Sequence, residues 1–498
     1  MTSTELYTAY KSKMQKIADV KYASAVLQWD QETYLPPKGN DFRGRQIATL
    51  SEIAHQQFTE EKTGDLLKDL INRDNLNTTE KRNVALSLED YERNKKLSSD
   101  FVRKMSESVN RSYHAWAKAS SENSFRTFEE PLRELILLKR QEADLLGYEH
   151  HPYNALMNEY DKGLTVSMVD KIFTDLTPQL LNLLNLIKSK PQVEDSFLRQ
   201  NFKKEDQWQF GIEILKRMGF DFEAGRQDIS LHPFTTNFNN NDVRVTTRID
   251  EHDFGNMAWS CIHEGGHGLY EQGLPSEQYG MPLGEYCSLS IHESQSRLWE
   301  NCIGRGLAFW KHNYPLLQSV FPNQLKELNI DGFYKGINKV APSLIRTEAD
   351  ELTYHFHVMI RYEIEKKLIA GIIDTKDIPA YWNEQYHQYL GVIVPDDKRG
   401  CLQDIHWSHG SFGYFATYSL GSMYAAQMYA TLKRENSYID EAISNGDNTG
   451  VSNWLKENVY RHGRFYSSGD LCRKATGEDL KPTYFIEYAT KKYTDIYS

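Results

Sequence analysis

Nothing in these 498 residues approaches the roughly 18 consecutive apolar positions that a membrane-spanning helix needs, so no membrane segment is expected. Cysteine is scarce. The five present, Cys261, Cys287, Cys302, Cys401 and Cys472, are odd in number and widely spaced, with no C-x-x-C pair. That argues for reduced thiols and against a disulfide framework. Residues 1–7 lack a basic stretch leading into an apolar core, so no secretory leader is expected and the cytoplasm is the expected compartment. A basic excess is absent as well: 58 Lys and Arg against 69 Asp and Glu leave a net charge of -11. With the basic residues interspersed, neither nucleic acid nor an anionic membrane is an expected partner. No Pro/Gly/Ser-rich linker, repeat or low-complexity tract divides the chain, so one domain over residues 1–498 is the simplest organisation.

What the sequence does have is helical periodicity. In residues 5–27, Leu6, Tyr7, Tyr10, Met14, Ile17, Val20, Ala23 and Leu27 recur at spacings of mostly three and four, the pattern of an amphipathic helix. Similar stretches over 101–117, 131–146, 168–187, 206–218, 257–270, 286–302, 345–369, 416–432 and 452–462 predict a mainly α protein. Two segments read as breaks: Trp29 to Pro37, an extended, proline-fixed end to the first helix, and Leu231-His232-Pro233. One segment, 242–249, alternates β-branched with polar residues and reads as a strand. Such a strand can hold an extended substrate by main-chain pairing, and it can equally be an ordinary edge hairpin; the two readings are compatible.

The most informative stretch is His263-Glu264-Gly265-Gly266-His267. On a helix, residues four apart lie one above the other, so both imidazoles reach one metal ion and the carboxylate between them stays free. Zinc held by two histidines and a third protein ligand keeps a position for water, whose pKa falls to about 7. Glu264 is then the general base that takes a proton from the water and passes it to the leaving amine. With 16 His in the chain, the bare H-E-x-x-H pattern arises by chance in about 4 of 100 such sequences. The two glycines add weight. Each costs about 1 kcal/mol against Ala within a helix, which makes sense where another backbone or a substrate approaches closely, here the peptide beside Glu264. Cys261, two residues before His263, reads as a small buried apolar residue and not as a ligand.

A third ligand is expected from a neighbouring helix, and Ser290-Ile291-His292-Glu293-Ser294-Gln295 offers His292 and Glu293 side by side. Their directions differ by about 100°, so one binds metal and the other lies behind it; spacing does not choose.

Several motifs in order resemble the M32 metallocarboxypeptidases, of the thermostable carboxypeptidase type. These are Asp242-Val243-Arg244-Val245-Thr246, the pentad, His292-Glu293-Ser294-Gln295, Ile345-Arg346-Thr347-Glu348-Ala349-Asp350 and Gly400-Cys401-Leu402-Gln403-Asp404-Ile405-His406-Trp407. Trp29-Asp30, Pro36-Pro37 and Arg461-His462-Gly463-Arg464 extend the likeness over essentially the whole chain. The resemblance implies His263, His267 and Glu293 as metal ligands, Glu264 as base and His292 as neighbour. It also implies a zincin-type fold with a long groove between two helical lobes and a small sheet near the metal, peptide substrates, and a homodimer. Zinc suits the donors, as do cobalt and manganese. Two departures from the pattern, Gly268 in place of Ala and Ala416 in place of Pro, touch no ligand.

A carboxypeptidase must read a free α-carboxylate, and a guanidinium does so with paired charge-assisted hydrogen bonds. Arg346 is the first candidate, against the plain alternative of an i,i+4 pair with Asp350, and Arg244 is the second, unless it braces the strand. Donors to the oxyanion are sought in 406–418, where His406 and Tyr414 are favoured over His409 and Tyr418. His355 and His357 point opposite ways on one helix and are expected to be packing groups. The expected reaction is therefore metal-dependent release of single C-terminal residues with broad specificity; the alternative is a groove-type metallo-endo-oligopeptidase.

Overall fold

The computed structural model describes residues 2–498, and it is mainly helical with one three-stranded sheet. The amphipathic stretches fold as helices, with boundaries shifted for local reasons. The first helix spans Ser3–Thr33 and opens on a Thr2–Glu5 capping box. It runs on through Trp29, contrary to the extended reading of this segment. Trp29 is buried, and the Thr33 hydroxyl bonds back to its carbonyl at 2.7 Å. The helix stops only where Leu35 precedes Pro36.

The 345–369 stretch departs further. A single 3-10 turn, Arg346–Glu348, is followed by irregular backbone, and the helix begins at Tyr354 and runs to Ile369. The cause is Asp350. Its carboxylate accepts from the amides of Ala341, Leu352 and Thr353 and from the Thr353 hydroxyl, taking donors that a continuous helix would use. Arg346 pairs with Asp404 and not with Asp350, so the plain alternative of an i,i+4 pair on one helix face does not hold. The 286–302 stretch also divides: Ser288 caps a Leu289–Arg297 helix through the Ile291 amide, and Leu298–Gly304 continues it as a π-turn. Helices such as Asn40–Thr59 and Ile378–Leu390 are additions that the reading did not contain.

Strand β1 is Gly225–Ile229, β2 is Thr235–Asn239 and β3 is Asp242–Thr247, in the order β1-β3-β2. β3 pairs parallel with β1 and antiparallel with β2. The 242–249 segment is thus the central strand, with Val243 and Val245 buried. Both its edges are taken, so main-chain pairing with a substrate falls to an open edge, of which β2 is one.

The chain divides into two compact units, each of three segments. Residues 1–95, 194–337 and 428–479 form the first, which holds the sheet and the pentad. Residues 96–193, 338–427 and 480–498 form the second, which holds Arg346, His406 and Tyr414.

Candidate metal centre

The pentad lies in the Phe254–Gln272 helix, capped by Asp253 through the Gly255 amide. Phe254, Met257, Ala258, Cys261 and Ile262 are buried and fix the helix in place. His263 and His267 then stand one turn apart, with ring centroids 4.9 Å from each other. From the Leu289–Arg297 helix, Glu293 brings its Oε2 to 3.7 Å from His263 Nε2 and 3.6 Å from His267 Nε2. These separations are too long for hydrogen bonds. They are close to the roughly 3.4 Å edge of a tetrahedron whose metal bonds are about 2.0–2.1 Å. Two imidazole nitrogens and a carboxylate oxygen facing one point fit a divalent cation, and among the described residues no other trio of His, Cys, Asp or Glu converges this way.

The glycines of the pentad serve the helix crossing and not, as expected from sequence, the peptide beside Glu264. A Cβ on Gly266 would lie 2.7 Å from the Ser296 Cα and 2.8 Å from the Gln295 carbonyl oxygen, backbone atoms of the neighbouring helix. A Cβ on Gly265 would meet Leu215 at 2.5 Å. Absence of a side chain at 266 therefore lets the two helices approach closely enough for Glu293 to reach the imidazoles.

An outer layer orients the three candidate ligands. His263 Nδ1 lies 2.9 Å from Glu300 Oε2, which selects the tautomer whose Nε2 lone pair faces the cation site. Glu300 stands in the π-turn and also meets Arg297 and Arg305, each at 3.3 Å. Arg297 Nε donates to Glu293 Oε1 at 2.6 Å. Burial opposes ionisation of Glu293, yet Arg297 and the two imidazoles outweigh it and hold the carboxyl well below the usual range. Burial, then the neighbouring His292, pushes His267 down to about 3, leaving the neutral form that binds metals. His292 stacks on His267 at 4.4 Å and bonds Glu271 at 2.8 Å, so the second member of the His292-Glu293 pair lies behind a ligand. Glu264 accepts from the Thr235 hydroxyl of β2 at 2.6 Å, and burial raises its pKa.

Glu300, Arg297, Thr235 and Glu271 escaped the sequence reading. A faint signal for two of them was there: Arg297 and Glu300 follow Glu293 by four and seven residues, on one helical face.

The second unit gathers the remaining candidates. Arg346, Arg361 and Asp404 form a buried cluster in which Asp404 meets Arg346 Nε at 3.0 Å and Arg361 Nε at 2.5 Å. Arg346 also bonds the Tyr354 hydroxyl and faces the Tyr418 ring at 5.0 Å. Two guanidiniums share one carboxylate, so the cluster keeps an uncompensated positive charge. His406 packs against Phe415 at 4.7 Å and Tyr414 at 5.4 Å, with Nε2 3.3 Å from the Tyr418 hydroxyl. Burial, then the charge of Arg346, brings it to about 3, a neutral imidazole able to donate one hydrogen bond. Tyr414 meets Tyr160 and Tyr418 edge-on. His355 and His357 are buried packing groups bonded to Ser419 and Tyr386. In the first unit, Arg244 grips Asp242 at 2.9 and 3.0 Å and lies between the Trp29 and Phe238 rings at 4.2 and 4.8 Å, an arrangement that braces β3.

Two outcomes follow for metal binding. Gly266→Ala should lower stability by about 1–3 kcal/mol through overpacking and weaken metal affinity at least tenfold, measured by calorimetric titration of the apoprotein. Glu300→Gln should weaken metal affinity about 10–100-fold in the folded apoprotein and also lower the melting temperature, because Arg297 and Arg305 lose a buried counter-charge; unchanged affinity would remove Glu300 from the ligand-orienting role.

Comparison with known proteins shows the family. Carboxypeptidase 1 of Bacillus subtilis is 37% identical over 486 residues, covering 97% of both chains. The solved structure called "The Structure of CHT" superposes with a TM-score of 0.97 at 58% identity, over 98% of this chain and 99% of that one. The M32 carboxypeptidase of Deinococcus radiodurans superposes with a TM-score of 0.97 at 36% identity over 99% of each chain. The profile described as "Carboxypeptidase Taq (M32) metallopeptidase" matches residues 9–493, and the chain belongs to that family.

Proposed function

We propose that this protein is a divalent-metal carboxypeptidase that releases single C-terminal residues from peptides, with broad side-chain tolerance, in the cytoplasm and as a homodimer. The observation that carries the reading is the convergence of His263, His267 and Glu293 beside Glu264. Five buried free thiols suit a reducing compartment, and the dimer follows from the family resemblance. Two imidazoles and a carboxylate favour zinc, with cobalt and manganese suited to the same donors.

A metal held by these three residues supplies a Lewis acid that activates water and polarises the scissile carbonyl. Glu264, kept in place by Thr235 and made more basic by burial, takes the proton of the attacking water and returns it to the leaving amine. His406 and Tyr414 donate to the developing oxyanion. Arg346 reads the terminal carboxylate, for which the excess positive charge it shares with Arg361 is suited. Arg244 pairs with Asp242 of its own strand and packs between two rings, and it braces the sheet. Upstream substrate residues lie along the open edge of β2, beside a cavity of about 680 Å³ lined by Thr236, Asn237, Tyr22, Phe58 and Glu285.

A chelator should abolish release of free amino acids from an unblocked peptide, and zinc or cobalt should restore it. Amidation of the peptide C-terminus should suppress cleavage; equal internal cleavage of amidated and free peptides would make the enzyme an endopeptidase. Arg346→Ala should lower kcat/KM on free-carboxylate peptides by about 10²-fold or more, with Arg346→Lys intermediate.

A further inference from the structure

Glu365 sits on the Tyr354–Ile369 helix with no exposed surface, and it takes no part in the proposed reaction. Its Oε1 accepts from Trp407 Nε1 at 2.8 Å, and its Oε2 accepts from the Gly413 amide at 2.8 Å and the Tyr153 hydroxyl at 2.5 Å. Trp407 immediately follows His406, and Gly413 immediately precedes Tyr414. One carboxylate therefore ties down both ends of the loop that carries the two proposed oxyanion donors.

The loop is built to be held this way. Gly413 has φ of +99°, and a Cβ there would lie 2.8 Å from the backbone of Leu156 and Met157. The chain is thus pressed onto the Tyr153–Tyr160 helix, whose first residue bonds the same carboxylate. The side-chain and main-chain donors that Glu365 meets are all neutral, and burying a carboxylate without a cation in contact is unfavourable by several kcal/mol. A neutral side chain would fill the space without that cost. What the ion alone offers is lone pairs on two oxygens for three donors, two from the ends of one loop and one from the Tyr153–Tyr160 helix.

We infer that Glu365 is a positioning residue for catalysis, whose carboxylate fixes the spacing between the His406 imidazole and the Tyr414 hydroxyl. The inference rests on the proposed oxyanion role of that pair. The groups around Glu365 are Tyr153, Trp407, Tyr160 and the Lys139–Glu142 ion pair. Burial pushes the carboxyl up to about 7 against the pull of its donors, so above neutrality the ion that satisfies all three predominates.

The test is steady-state kinetics of Glu365→Gln in the metal-loaded enzyme. At pH 8, kcat should fall about 10–100-fold with KM within about twofold. The ratio of wild-type to variant kcat should shrink toward pH 6, where the wild-type carboxyl is protonated as well. In a Tyr414→Phe background the same substitution should cost clearly less than in the wild type, because only the His406 side of the pair is left for it to disturb. Trp407→Phe removes one tie without touching the charge and should show a smaller loss of the same kind, which keeps the test open if Glu365→Gln folds poorly. Wild-type kcat in both Glu365→Gln and Trp407→Phe, or a full multiplicative loss on Tyr414→Phe, overturns the inference. Full activity of His406→Ala and Tyr414→Phe would instead overturn the oxyanion assignment and the inference with it.

Discussion

The crossing of two helices at a residue without a side chain governs the metal centre. The pentad helix supplies two imidazoles by itself, since any helix places residues four apart on one face. It cannot supply a third ligand at the required angle. The proposed third ligand, Glu293, comes from the Leu289–Arg297 helix, which can lie close only because Gly266 presents bare backbone to Ser296 and Gln295. The roughly 1 kcal/mol that Gly forfeits in a helix is the local cost of this contact. The glycine weakens its own helix and completes the site.

Much of this arrangement was legible in the sequence, for a definable reason. The imidazoles, Glu264 and the helix beneath them depend on residues within one or two turns of each other, and spacing encodes that directly. Glu293 was narrowed to one of two neighbours, and the resemblance chose between them. What spacing does not encode is who stands behind a ligand. Glu300 approaches His263 from a π-turn 37 positions away, and Thr235 approaches Glu264 from a strand. The glycines are a similar case: sequence shows that another backbone or a substrate approaches closely, and the fold shows that it is the backbone of a neighbouring helix and not the peptide. Asp350 is a related case, a polar side chain that captures backbone donors and breaks a periodicity which apolar residues alone would continue.

Five of the buried carboxylates fall into two groups by their neighbours. Glu293, Glu300 and Asp404 each touch arginine and are held ionised, so they act as fixed negative charges that orient cations and imidazoles. Glu264 and Glu365 have no arginine in contact, and burial pushes both upward. A base must exchange protons near neutrality, and the environment of Glu264 suits that task. The environment of Asp404 suits the opposite one: its charge is constant, and the two guanidiniums around it set the sign of the local field.

The assembly of each compact unit from three stretches of chain has a consequence for how the protein is taken apart. The polypeptide passes from one unit to the other five times, once within the Ala416–Glu435 helix. No single peptide-bond cleavage frees either unit, and neither can be produced as one uninterrupted fragment. Loss of order in one withdraws the anchored ends of segments belonging to the other. Fragment complementation and truncation, useful in proteins whose domains follow one another along the chain, are therefore poor tools here, and proteolytic nicking should leave the pieces associated.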